Sequence, residues 1–106
     1  MNTATSPTPN VALPAGAHTL DTWQDCDPQP YRVIVSADRK VTDHVLAVSP
    51  SAIQWADGTI DDGALEPPHI FVFNLGEGDP LNSDQARELA SVLLEAAAQL
   101  DGWSAK

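Results

Sequence analysis

The chain is short of cations, cysteines, aromatic residues and long apolar runs, and each shortage removes a class of function. Five Lys and Arg stand against 15 Asp and Glu, giving a formal net charge of −10 over 106 residues. So few cations cannot displace many counterions from phosphates, which opposes direct nucleic-acid binding. The same imbalance opposes docking on an anionic membrane surface. Cys26 is the single cysteine; no internal disulfide can form, which fits a reducing, cytoplasmic setting. No apolar run approaches the length of a bilayer span. The opening stretch MNTATSPTPNVALPAGA has neither a basic start nor a continuous apolar segment, and does not read as a signal peptide.

What is present suits a small folded domain. The length predicts one domain with one modest core. The acidic surplus favours solubility, a basic protein partner, or mimicry of nucleic acid. Residues 1–17 are uncharged and rich in Pro, Thr and Ala. They predict a flexible tail that collapses onto the domain near Val11 and Leu13, with the domain itself over residues 18–106.

Within the domain the apolar pattern first has a period of two. His18–Asp27 reads as a weak edge strand, ended by Pro28 and Pro30. YRVIVSA (31–37) is dense in β-branched residues, and VTDHVLAV (41–48) resumes the pattern after the charged turn DRK, so the two form a hairpin. Ser49–Pro50 breaks the chain. Ile53 and Trp55 then alternate towards Asp57-Gly58, a favoured hairpin turn, with Thr59 and Ile60 returning briefly. PPHIFVFN (67–74) begins with two prolines, which suit a strand entrance, and its apolar density places it near the sheet centre.

The period changes after residue 81. Asn82 or Ser83 can cap a helix, and Asn82 with Gln85 approximates a capping box. Ala86, Leu89, Ala90, Leu93, Ala97 and Leu100 recur at helical spacing and predict the buried stripe. Asp84, Glu88, Ser91, Glu95 and Ala98 fall on the opposite side. Gly102 reads as the stop, with Trp103 folding back. The order of elements predicts an α+β fold: an antiparallel β-meander of about four strands with one C-terminal amphipathic helix packed on one face.

Catalytic and metal-binding patterns fail on spacing. His18, Cys26, His44 and His69 are zinc-ligand types, but the nearest two are eight positions apart, far from the close pairs of zinc motifs. Asp21, Asp25 and Asp27 around Cys26 discourage a thiolate nucleophile. The DDG and DCD clusters do not extend into a calcium loop, and GEGD lacks the lysine of a phosphate loop. His69 reads as the rim of a strand entrance. No catalytic residue, metal or cofactor is expected. Of the three tryptophans, Trp55 and Trp103 are expected in the core around the helix and Trp23 at an interface.

The segment EPPHIFVFNLGEGDPLNSDQARELASVLLEAAAQLDGW resembles the end of small actinobacterial and actinophage proteins grouped as a domain of unknown function, DUF6907. A Pro-led alternating strand there precedes L-[ST]-x-x-[EQ]-A-x-x-L-A, matched here by Leu81, Ser83, Gln85, Ala86, Leu89 and Ala90. The likeness covers residues from about Tyr31 to Trp103. It implies no established activity, and it does imply an actinobacterial or phage source and a cytoplasmic setting. The Trp-Cys pair frequent in that family is split here, since Trp23 and Cys26 are not adjacent.

The expectation for function is a small acidic, non-enzymatic protein-binding or regulatory module, phage-derived or accessory in character. It would bind a protein partner or a second copy of itself, through an edge strand or through helix surface left over at Val92 and Leu94. The alternative is an inhibitor that mimics nucleic acid, with Asp84, Glu88 and Glu95 arrayed beside Asp61 and Asp62 against a basic host enzyme. Trp23, Val92, Leu94, Asp84, Glu88 and Glu95 are thus the candidate contact residues.

Overall fold

The computed structural model describes residues 9–76 and 79–104. It shows an α+β fold: an antiparallel sheet of five strands with one C-terminal helix laid across a face. The strands are β1 (Ala17–Thr19), β2 (Tyr31–Ser36), β3 (Arg39–Lys40), β4 (Ala47–Trp55) and β5 (His69–Phe73), and the helix is α1 (Ser83–Ser104). β4 lies in the middle. β2 and β3 share one of its edges, β5 has the other, and β1 extends the sheet beyond β2.

The hairpin expected from residues 31–48 is present, but displaced. Arg39 and Lys40 are strand rather than turn, and residues 41–46 make the turn in place of a strand. Asp43 takes a positive φ of 55° there, a conformation Asp tolerates because its short polar side chain relieves the left-handed region. The ring of His44 helps close the turn: its Nδ1 accepts from the Leu46 N–H at 3.2 Å.

Ser49–Pro50 does not break the chain. Both residues lie inside β4, buried. A proline in a central strand leaves one ladder donor missing, so it needs a local irregularity. Trp55 donates to Thr59 O and Asp61 donates to Ile53 O, each at 2.8 Å, so odd-numbered residues of β4 turn their peptide groups towards β5. Pro50 therefore faces β2. There the register slips by one residue, from Val35↔Ser51 to Arg39↔Val48, which marks a bulge. The Ser36 carbonyl, deprived of a donor from Pro50, accepts instead from Ser49 Oγ at 2.9 Å.

The helix begins as expected. Gln85 N donates to Asn82 Oδ1 at 2.8 Å and Asn82 N donates to Gln85 Oε1 at 3.0 Å, a complete capping box. Gln85 Nε2 also donates to Thr42 O at 3.0 Å, tying the helix start to the β3–β4 turn. The buried face, however, is rotated from the expected stripe. Ala86 and Ala90 are exposed, whereas Gln85, Glu88, Val92, Ala96, Gln99 and Trp103 turn towards the protein with Leu89, Leu93 and Leu100. The rotation follows polar anchors as much as apolar ones, because Gln85, Glu88 and Gln99 all bond to other segments.

Gly102 does not stop the helix, which continues to Ser104. Trp103 holds the last turn. Its ring is buried against Ile34 and Ala52, and its Nε1–H donates to Ala15 O at 3.1 Å. Part of the expected tail is thereby structural. Val11 O accepts from Arg32 Nη2 at 2.8 Å and Ala12 O accepts from Gln54 Nε2 at 3.1 Å, so residues 11–17 pack beside the helix on the same sheet face. Residues 1–8 of that tail lie outside the described residues.

Because Ser49 Oγ replaces a missing ladder donor, Ser49→Ala strands the buried Ser36 carbonyl. Loss of about 1–2 kcal/mol is expected in urea-induced unfolding. An unchanged midpoint would show that the bulge does not depend on this hydroxyl.

Candidate functional site

The register sorts the sheet into two unlike faces. Ile34, Ala52 and the other even-numbered residues of β2 and β4 carry α1 and residues 11–17. The odd-numbered residues look the other way, and the one helix of the described residues is not on their side. Tyr31 pairs with Trp55, Val33 with Ile53, and Val35 sits between His18 and Ser51. Ser51 pairs with His69, Ser49 with Phe71 and Ala47 with Phe73. Leu20, one alternation beyond His18, donates its N–H to Val33 O and is 65% exposed.

The profile of this face follows from side-chain size. Ala47, Ser49 and Ser51 are small and make a floor along β4 that is buried among bulkier neighbours. Beside them the rings of β5 stand proud as a wall. His69 and Phe71 meet edge-to-face at 4.7 Å between centroids, and Phe71 stacks with Phe73 at 5.7 Å and 21°. Phe71 remains 47% exposed and Phe73 40% exposed. The floor opens at one end into a groove of about 510 Å³ lined by Lys40, Val45, Ala47 and Phe73, with Asp38, His44 and Asn74 around them. At the other end Trp55 and Tyr31 meet edge-to-face at 6.1 Å. Trp55 is thus on the open face and not in the core around the helix.

β5 also differs from its expected place. It is an edge strand, hydrogen-bonded to β4 alone. Its odd-numbered residues pair with odd-numbered residues of β4, so His69, Phe71 and Phe73 direct their peptide groups inward. Ile70 and Val72 then direct theirs outward, where no strand of the described residues meets them. The density of apolar residues in HIFVF reflects one face packed under the helix layer and one face of partly exposed rings, rather than a central position.

The residues singled out by the sequence occupy other places. Trp23 is half-buried, with the Arg32 guanidinium 4.4 Å from its ring centroid. Arg32 also donates Nε–H to Gln54 Oε1 at 2.8 Å, and its burial lowers its pKa from the usual value. Val92 turns inward, so it is not leftover helix surface, whereas Leu94 is 73% exposed on the outer helix face. Glu88 accepts from Thr42 N at 2.8 Å and from Thr42 Oγ1 at 3.0 Å. Glu95 pairs with Arg39 at 3.5 Å and Asp84 with Arg87 at 3.2 Å. Asp61 is buried: its carboxylate accepts from the N–H groups of Ala64, Leu65 and Glu66 at 3.1, 2.7 and 2.8 Å. Asp61, Glu88, Glu95 and Asp84 are thus each engaged in a separate contact, whereas Asp62 is exposed.

Among the described residues no three His, Cys, Asp or Glu side chains meet in a metal-binding group. Cys26 is half-buried, its thiol 3.8 Å from Asp27 O. His69 sits half-buried at the strand entrance, with Nδ1 2.9 Å from Pro67 O. His44 lies in a turn rather than mid-strand, and its Nε2 contacts Asp79 O. No helix of the described residues is long and apolar enough to cross a membrane. No protein-family model, curated protein or solved structure matches the chain.

Asp61 shapes the loop that leads into β5. Burial raises its pKa, but the N–H groups of Glu66, Leu65 and Ala64 outweigh this, with the Trp55 side chain adding least, and the net direction is downward. A depressed carboxyl stabilises the fold above its unfolded pKa, and that stability is lost as pH falls through its folded pKa. Asp61→Asn is expected to cost about 2 kcal/mol near neutral pH and to flatten the loss of stability below about pH 4. Urea unfolding of both proteins across that range checks it; parallel pH profiles would remove Asp61 from this role.

Proposed function

We propose that the chain is a small acidic, non-enzymatic protein-binding module, acting as an accessory or regulatory protein in a cytoplasm. The exposed rings of Phe71 and Phe73, on the sheet face opposite the helix, carry this reading. Contiguous exposed apolar surface on a soluble protein is costly and marks contact sites. Phe71 and Phe73 stack on one another and are exposed side by side, so side chains of a partner can be desolvated against them.

The nucleic-acid-mimic reading requires a continuous array of free carboxylates. Glu88, Glu95 and Asp61 are already engaged by Thr42, Arg39 and a loop backbone, so those residues do not support it. The family resemblance at Leu81–Ala90 adds no activity. It supports the actinobacterial or phage setting proposed for the module.

The test is affinity capture from lysate of the source cells, with the full chain and its Phe71→Asp/Phe73→Asp variant as baits. Both rings are exposed, so the variant is expected to fold, as checked by circular dichroism. A partner held by the parent and lost by the variant, identified by mass spectrometry, is the expected result. Equal capture by both baits would refute the reading.

A further inference from the structure

We infer that the free edge of β5 is a strand-addition site for an extended, basic segment of a partner protein, whose alternate side chains are apolar. This inference rests on the protein-binding reading and names the chemistry of the partner. Three features of β5 combine. Ile70 and Val72 present outward N–H and C=O groups that no strand of the described residues meets. Phe71 and Phe73 are exposed beside that edge, where alternate side chains of an added strand would pack against them. The strand itself, HIFVF, carries none of the lysines, prolines or inward charges with which edge strands avoid pairing.

Charge decides between occupants. The strand is bracketed by exposed carboxylates: Asp62 and Glu66 precede it and Asp79 follows it, while Asp38 lies at the groove across the floor. Three of the five cations are used internally, Arg32 by Val11 and Gln54, Arg39 by Gln99 and Glu95, and Arg87 by Asp84. Among the described residues, Lys40 is the one Lys or Arg lining the groove. A second copy paired antiparallel about Phe71 would bring the Glu66 end of one molecule to the Asp79 end of the other, acid against acid at both ends. A basic strand meets opposite charge at both ends in either direction. Like charges opposed across paired strands destabilise and opposite charges stabilise.

The experiment uses the full chain and a displayed library of random peptides, followed by binding measurements on the tightest enriched peptide. Enriched sequences are expected to alternate apolar residues and to carry excess Lys and Arg. Their affinity should fall as ionic strength rises from about 0.05 to about 0.5 M. N-methylation of alternate peptide nitrogens should weaken binding at least about tenfold in one phase of the alternation and little in the other. Val72→Pro, which removes an outward donor, should weaken binding comparably, with its fold checked by circular dichroism; the methylated peptides keep the test intact if that variant unfolds. Neutral or acidic enriched peptides, no enrichment, or indifference to methylation in both phases would overturn strand addition. So would a dimer, seen by sedimentation, that tightens with salt. If strand addition fails while the Phe71→Asp/Phe73→Asp bait still loses its partner, the protein-binding reading survives; if that bait loses nothing, that reading falls by its own test.

Discussion

The structure depends on β4 being flanked on both sides. A central strand must place each of its peptide groups on a neighbour, because a buried unpaired N–H or carbonyl costs more than most single contacts return. β4 meets this demand with two split neighbours. One edge is β2 and β3 around a bulge, and the other is Ile60 and β5 around an excursion of the chain. Both irregularities have a local cause. Pro50 has no hydrogen to give, and Asp61 gathers three N–H groups into a loop before the strand resumes.

Side-chain size along β4 then sets how the two faces are used. On the helix side, the buried Ile34 and Ala52 receive the buried ring of Trp103, and residues 11–17 pack beside the helix. On the other side, Ala47, Ser49 and Ser51 are too small to build a second layer. The bulk sits on the flanking strands, at Tyr31, Trp55, Phe71 and Phe73. A floor with aromatic walls is what results.

The same economy of polar contacts disposes of much of the charge. The Glu and Arg side chains nearest the helix tie α1 to the β3–β4 turn and to β3, so they act as fasteners between layers. The remaining carboxylates of the described residues are exposed and leave the surface negative around the aromatic face. This combination gives a binding site a preferred sign of partner before any particular contact is made.

Much of the fold was legible in the chain. The capping box at Asn82 and Gln85, the turn at Asp57-Gly58 and the β-branched run 31–36 are local signals, because each depends on residues within a few positions of one another. The aromatic face was less legible, since alternation in HIFVF and in YRVIVS shows two faces without showing which carries the helix. Expecting β5 at the centre, a break at Pro50 and an outward Val92 failed for one reason: each depends on a distant neighbour. Ser49 reaches the Ser36 carbonyl, Gln85 and Glu88 reach Thr42, and Trp103 reaches Ala15. Sequence alone determined the fold class, the acidic surface and the ends of the helix start, where short-range hydrogen bonding and composition suffice. Tertiary structure alone decided which helix stripe is buried, which strand lies at the edge and which carboxylates are free, because those follow from long-range partners that periodicity does not encode.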